Sequence, residues 1–343
     1  MTVSRGLVEA QGTRFACLDP LLPAMAPPPD GDVITAALPD GSRVAGVLQR
    51  QVHDRMSAAR LWSATEVWEL TPLLGAAGAA GMDALLRAWR GRMDRVGPAE
   101  RDSACVLTWP SRDAEATRAL LDHGLVPLSV IAVRRHPPVP GPRRPQVTDT
   151  PPIPNTPPVP NTSPVPNTPP VRNTPPVPGA LVIRRATPAD VDSVLNLALA
   201  ELRYSAMVGS TVDRPEAAGL KRRTLAERLA AGGPAWLAER DGIAVALAEC
   251  ALVTSEPGNW TSTRLPTGRW GYVNCVSVLP GARGGGIGQR LMAHAHRELH
   301  RLGTVGTYLY YNPPNPLSSV FWPRQGYRPL WTVWEVRPAG ALR

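Results

Sequence analysis

The sequence predicts a mixed α/β protein of the α+β type, built as two copies of one architecture, and three observations carry that expectation. A strand pattern, a small-residue turn and an amphipathic helix follow one another in the same order in both halves. A proline-rich hexad repeat stands between the halves. The chain has 343 residues, 43% of them hydrophobic, which is enough for two ordinary cores. The expected division is a first domain over 1–136, a linker over 137–179 and a second domain over 180–343.

In the first half, 67–70 alternates as a strand, 75–81 is a small-residue turn and 82–93 a helix. A strand at 105–109, a helix at 112–123 and a last strand at 128–134 follow. Residues 1–60 fit the repeated pattern least well. The linker runs PPIPNT, PPVPNT, SPVPNT, PPVRNT, PPVPGA from Pro151 to Ala180. Such a repeat favours polyproline II and reads as a spacer, with a docking site for a proline-recognising partner as the other reading.

The second half opens with a strand at 181–184. Thr187, Pro188 and Asp190 then start a helix as N-cap, first position and first-turn acid, and Val191, Val194, Leu195 and Ala198 give its buried stripe. Residues 236–239 and 244–251 form a hairpin turning at Asp241-Gly242. A strand at 272–279 runs into a glycine-rich turn at 281–288 and then a helix at 289–302. A strand at 307–311, a short helix at 317–325 and a last strand at 329–336 complete the copy.

Composition narrows the functions. The net charge is +9, but arginines are dispersed, Lys221 is the sole lysine and no nucleic-acid motif appears, so nucleic acid is not an expected partner. The first half is neutral and the second carries +7, which suits an anionic small ligand. Cys17, Cys105, Cys250 and Cys275 are scattered without a CxxC, which disfavours a disulfide framework and a cysteine-built zinc site. There is no apolar run long enough to span a bilayer and no signal-peptide core, so a soluble cytoplasmic protein with no membrane partner is expected. His296 and His300 share a helix face, but no HExxH pattern or third ligand accompanies them, and no metal is expected.

The chemistry sits at 278–288, ValLeuProGlyAlaArgGlyGlyGlyIleGly. Missing side chains let a ligand approach the backbone, and successive N–H groups at a helix N-terminus favour a phosphate or pyrophosphate. Arg283 adds a fork that fits phosphate oxygens. A P-loop is excluded because no GlyLys-Ser/Thr follows, and a dinucleotide fingerprint because no acid ends the next strand.

With Val278, Pro280, Arg283, Gly286 and Gly288 in place, and with Asn315, a helix and Gly326-Tyr327 behind them, residues 181–338 resemble the GCN5-related N-acetyltransferase superfamily. The resemblance implies two acetyltransferase-like domains, each a mostly antiparallel splayed sheet flanked by helices. It implies acetyl-CoA as co-substrate, bound by Val276, Ser277, Val278, Arg283, Gly284, Gly285, Gly286, Ile287, Gly288, Gln289 and Asn315. It implies acetyl transfer to an amine, small molecule or peptide, by direct attack, aided by backbone N–H groups near Val278, a base and an acid. The family often has a tyrosine as acid where this chain has Trp322, and indole cannot serve. Tyr310 and Tyr311 are then the candidate acids and Glu249 the candidate base, with packing and solvent-facing roles as their alternatives. In the first copy Ala76, Ala77 and Ala79 stand where Arg283, Gly284 and Gly286 do, which marks that copy as degenerate. A non-catalytic acyl-CoA-binding regulator and a proline-repeat adaptor are the competing functions. Trp260, Trp270, Tyr272, Trp322, Trp331 and Trp334 are core residues by default, or the walls of an aromatic acceptor cleft.

Overall fold

The computed structural model describes residues 4–97, 101–136, 179–209, 211 and 214–343. The linker was expected over 137–179, of which 137–178 lie outside the described residues. The elements of the first half are α1 (Arg5–Leu18), β1 (Asp32–Ala37), β2 (Arg43–Val52), β3 (Glu66–Leu73), α2 (Gly78–Val96), β4 (Ser103–Pro110), α3 (Ala114–Asp122) and β5 (Val126–Arg135). Those of the second are β6 (Leu181–Arg185), α4 (Val191–Met207), α5 (Ala217–Ala230), β7 (Ala235–Arg240), β8 (Ile243–Ser255), β9 (Gly268–Val278), α6 (Ile287–Arg301), β10 (Gly306–Tyr311), α7 (Pro316–Arg324) and β11 (Arg328–Val336).

The same run of strand, helix, strand, helix, strand appears twice, as β3-α2-β4-α3-β5 and as β9-α6-β10-α7-β11. In each run the first two strands are parallel and joined by the helix, the connection a parallel pair requires. All other strand pairs are antiparallel. The sequence does not indicate how the halves join. Among the described residues they share one sheet of 11 strands in the order β1-β2-β3-β4-β11-β5-β10-β9-β8-β7-β6. The last strand of each half has crossed over: β11 lies between β4 and β5, and β5 lies between β11 and β10.

Local chemistry sets the helix ends that matter here. Thr187 and Asp190 form a capping box ahead of α4. Asp113 caps α3 and also accepts from Trp109 Nε1 at 3.0 Å. Leu291, Met292, Ala295 and Leu299 of α6 are fully buried, and with Val273 of β9, Leu309 of β10 and Val130 and Ala132 of β5 they form one core. Val194, Leu195 and Ala198 of α4, with Leu225 and Leu229 of α5, pack on Leu237, Leu247 and Cys275. In the first half α1 and α2 bury Phe15, Leu85 and Trp89 against Leu70 and Leu107, and Trp331 and Trp334 of β11 complete that core.

Ion pairs bind the halves where they meet. Arg214, nearly buried ahead of α5, donates to Asp102 at 3.0 Å and to the carbonyl of Arg60 at 2.6 Å. Asp19, buried at the end of α1, accepts from Arg328 at the start of β11. Burial opposes ionisation of Asp19, but hydrogen bonds from Arg328 and Leu21 outweigh it and hold the carboxyl below its ordinary range.

Candidate functional site

A β-bulge opens the site. Along β8 and β9, Glu249 faces Cys275 and Cys250 faces Val273, which leaves Asn274 as the extra residue. The bulge turns Val273 into the α6 core and Cys275 into the α4–α5 core. β10 pairs with β9 only as far as Val273, while Tyr310 and Tyr311 continue along β5. Beyond Asn274 the two parallel strands therefore part, and a cavity of about 410 Å³ occupies the gap.

One wall is β9. Leu279 donates its N–H to Val245 on the β8 side. Backbone groups alternate along a strand, so the N–H and C=O of Val278 and Val276 point the other way, into the gap. The carbonyl of Val278 accepts from Arg283 Nε at 3.0 Å. The Arg283 guanidinium lies over the Tyr204 ring, 5.4 Å from its centroid.

The end wall is the glycine loop. Gly284 and Gly286 have φ of +84° and +70°, a region that a side chain strains. A Cβ on Gly284 or Gly285 would meet nothing within 4 Å, so the space beside this backbone is open. The first N–H groups of α6 have no partner within the helix and carry the positive end of its dipole.

Of the residues expected from the sequence, Val276, Ser277, Val278, Arg283, Gly284, Gly286, Ile287, Gly288, Gln289, Asn315, Tyr310 and Tyr311 all line this cavity. Gly285 is in the same loop but not in the lining. Asn315 spends its Oδ1 capping α7, accepting from Leu317 and Ser318 at 3.0 and 3.1 Å. Burial pushes the Tyr310 phenol up to about 12, with Arg264 opposing and Glu69 adding to the shift, and burial also raises Tyr311. Both phenols keep their protons at neutral pH. Trp322 lines the cavity too, wedged edge-on against Phe321 and Tyr327.

Glu249 lies behind this wall. It is 2% exposed, paired with Arg228, and its Oε2 accepts from Asn274 Nδ2 at 2.6 Å. Asn274 lines the cavity; Glu249 does not. The carboxylate that does is Glu201 of α4, which sequence reasoning missed. It accepts from Ser205 Oγ at 2.6 Å. Burial raises its pKa, against smaller opposing effects of Ser205 and Lys221. The signal was present: Val194, Ala198, Glu201 and Ser205 share one helix face, so a carboxylate interrupts the buried stripe.

The histidines of α6 serve the core. His296 Nε2 is 2.9 Å from the Tyr327 hydroxyl, which is 2.8 Å from Thr307 Oγ1. Burial, then Arg134 and His136, hold His296 down at about 3. His300 packs edge-on against His136. Among the described residues no group of three or more His, Cys, Asp or Glu side chains is arranged to hold a metal ion.

The first half has the matching parallel pair, β3 with β4, but a different interior. The β2–β3 register shows no bulge. Only residues 74–77 separate β3 from α2, whereas 279–286 separate β9 from α6. Helix α1 fills the end of the gap. Its Gln11 accepts from the N–H of Leu74 at 2.6 Å and donates to the carbonyl of Pro72 at 2.9 Å. A Cβ on Gly75 would stand 2.9 Å from Leu7, and one on Gly78 3.3 Å from the Arg14 guanidinium, so α1 covers the turn.

Residues 231–329, which hold β7, β8, β9, the loop, α6, β10 and α7, match the family described as acetyltransferase (GNAT) domain. Similar solved structures include a GCN5-related N-acetyltransferase from Ralstonia eutropha JMP134, 24% identical, covering 44% of this chain and 94% of that one, with a TM-score of 0.36. The PaiA N-acetyltransferase of Thermoplasma acidophilum, in complex with coenzyme A, is 13% identical over 46% of this chain and 99% of its own, with a TM-score of 0.36. A GCN5-related N-acetyltransferase from Sphaerobacter thermophilus is 14% identical over 90% of this chain and 82% of its own, with a TM-score of 0.45. No helix among the described residues is long and apolar enough to cross a membrane.

Proposed function

We propose that the cleft between β9 and β10 binds acetyl-CoA and that the protein transfers the acetyl group to an amine. The observation that carries this reading is the splay at Asn274, which leaves unpaired strand backbone on one side and leads to the open amides of Gly284–Gln289 at its end. Those amides and Arg283 suit a pyrophosphate. The inward backbone groups of Val276 and Val278 suit the amides of an extended pantetheine arm. The match of 231–329 to the acetyltransferase domain agrees with both.

In this reading Glu201 takes the proton of the incoming ammonium. The free amine attacks the thioester carbon, an N–C bond forms, and the C–S bond breaks. N–H groups beside the bulge stabilise the oxyanion. Tyr310 or Tyr311 gives a proton to the leaving thiolate, since the indole N–H of Trp322 is too weak an acid. The phenolate is reprotonated as the acylated nitrogen sheds its second proton to become the amide. Glu249 instead fixes the side chain of Asn274 at the bulge. The first half is a second copy of the same domain whose cleft α1 has filled. The proline repeat is a spacer and the protein works in the cytoplasm.

Arg283→Ala combined with Gly286→Ala is expected to weaken acetyl-CoA binding at least tenfold, about 1.4 kcal/mol. Unchanged affinity by calorimetry, with an unaltered melting curve, would remove the coenzyme from this cleft. Residues 136 and 180, on either side of the expected linker, flank β5 and β6, which four strands separate in the sheet. The end of β5 is level with Val253 of β8 and the start of β6 with Ile243. At about 4.8 Å per strand across and about 3.3 Å per residue along, the two points stand roughly 40 Å apart, still far less than the reach of the connecting residues at about 3.1 Å each. Deleting two hexads is therefore expected to leave both coenzyme affinity and turnover unchanged. A loss of turnover alone, measured by thiol release, would give the repeat a part in the reaction.

A further inference from the structure

A second cavity, of about 290 Å³, lies where the halves meet. Gln51 of β2 and Glu69 of β3 line it from the first half. Trp260 and Arg264, between β8 and β9, and Trp331 of β11 line it from the second. The guanidinium of Arg264 stacks on Trp331, 5.5 Å from the ring centroid. Its nearest carboxylate oxygen, on Glu69, is 3.9 Å away, too far for a hydrogen bond. Among the described residues its donors find no other side-chain or carbonyl partner. The side chain is only 20% exposed, and burial pulls its pKa below the ordinary arginine value.

A guanidinium that has lost most of its water and gained no hydrogen bond is costly, and a carboxylate offers the matching fork. Glu69 beside it makes a second negative charge on the same ligand unfavourable. The flanking indoles of Trp260 and Trp331 favour an apolar body. Tyr310 lies between this cavity and the cleft: it lines the cleft and packs against the core that contains Trp331.

We propose that this cavity between the halves receives the carboxylate end of the acceptor, so that the acceptor is an amine that also carries one carboxylate, held by Arg264 against Trp331 and Trp260. The proposal rests on the acetyl-transfer reading for its destination, while the cavity itself is tested separately. Matched amines, phenylalanine with phenylalaninamide and 6-aminohexanoate with its amide, are compared for thiol release from acetyl-CoA by the full chain. The carboxylate member is expected to be favoured at least tenfold in kcat/KM in a pair that turns over, and Arg264→Gln is expected to abolish the preference through KM. Glu69→Gln, which leaves Arg264 in place, is expected to enlarge it. An equal or reversed preference in wild type, or one that survives Arg264→Gln, overturns the proposal.

Calorimetry of the same four compounds without acetyl-CoA separates the two readings. Carboxylate-selective binding that Arg264→Gln removes supports the cavity even if no amine releases thiol, an outcome that would sink the transfer reading alone. No selective binding and no selective turnover would overturn the cavity assignment.

Discussion

Residues 180–343 expressed alone are expected to lose both the native fold and acetyl-CoA binding, and co-expression with residues 1–136 is expected to restore them. β11 has its ladder partners in the first half only: six positions pair with β4 and seven with β5. Trp331 and Trp334, 3% and 5% exposed, are buried in the core of the first half and would meet water without it. Exposing two indoles costs several kcal/mol, at about 25 cal/mol per Å² of apolar surface, which is comparable with the total stability of a domain. β10 would also lose β5 along six positions, including Tyr310 and Tyr311, the far wall of the cleft. A cooperative melt and full coenzyme affinity in the isolated second half would show that the crossed strands are dispensable.

Glu201→Gln is expected to lower kcat by about 100-fold or more, the usual contribution of a positioned general base. The direction of the pH dependence follows from the raised pKa of Glu201. The base must be ionised, so wild-type activity should rise with pH through a limb above the ordinary carboxylate range, and the glutamine variant should lose that limb. Glu249→Gln should keep it, because Glu249 is enclosed by Arg228 and Asn274 away from the cavity. A limb that persists in Glu201→Gln assigns the proton transfer to another group. A melting curve for each variant separates loss of the base from loss of fold.

The glycine loop was legible because its demands are local. Positive φ at Gly284 and Gly286, and a helix start beside them, need those residue types in that order. Strands such as β9 and β10 were legible from alternation. Helix α1 was not: its stripe is weak, because what it buries, Gln11 and Phe15, is set by the end of β3 and by Trp109 and Trp331, far away in sequence. Glu249 was expected to face the cleft and lies behind it for a related reason. Glu249 sits on a strand of the right sheet, but one inserted residue at Asn274 decides which side chains face the gap, and because both faces of β9 bury apolar residues here the slip in alternation does not stand out in the sequence. The crossing of β5 and β11 was hidden altogether, since either strand satisfies the same pattern in either place.

That crossing also fixes the order of events as the chain leaves the ribosome. The first half emerges with β4 and β5 complete, yet β11, the strand that belongs between them, is made only after β6 to β10. Until β11 arrives, two inner strands present unpaired edges, the kind of surface that recruits any compatible strand nearby. The closest match is the β11 of another copy of the same protein. Dilution, slow translation or a chaperone holding the first half should therefore favour monomers, and crowded expression should favour dimers that trade their final strand.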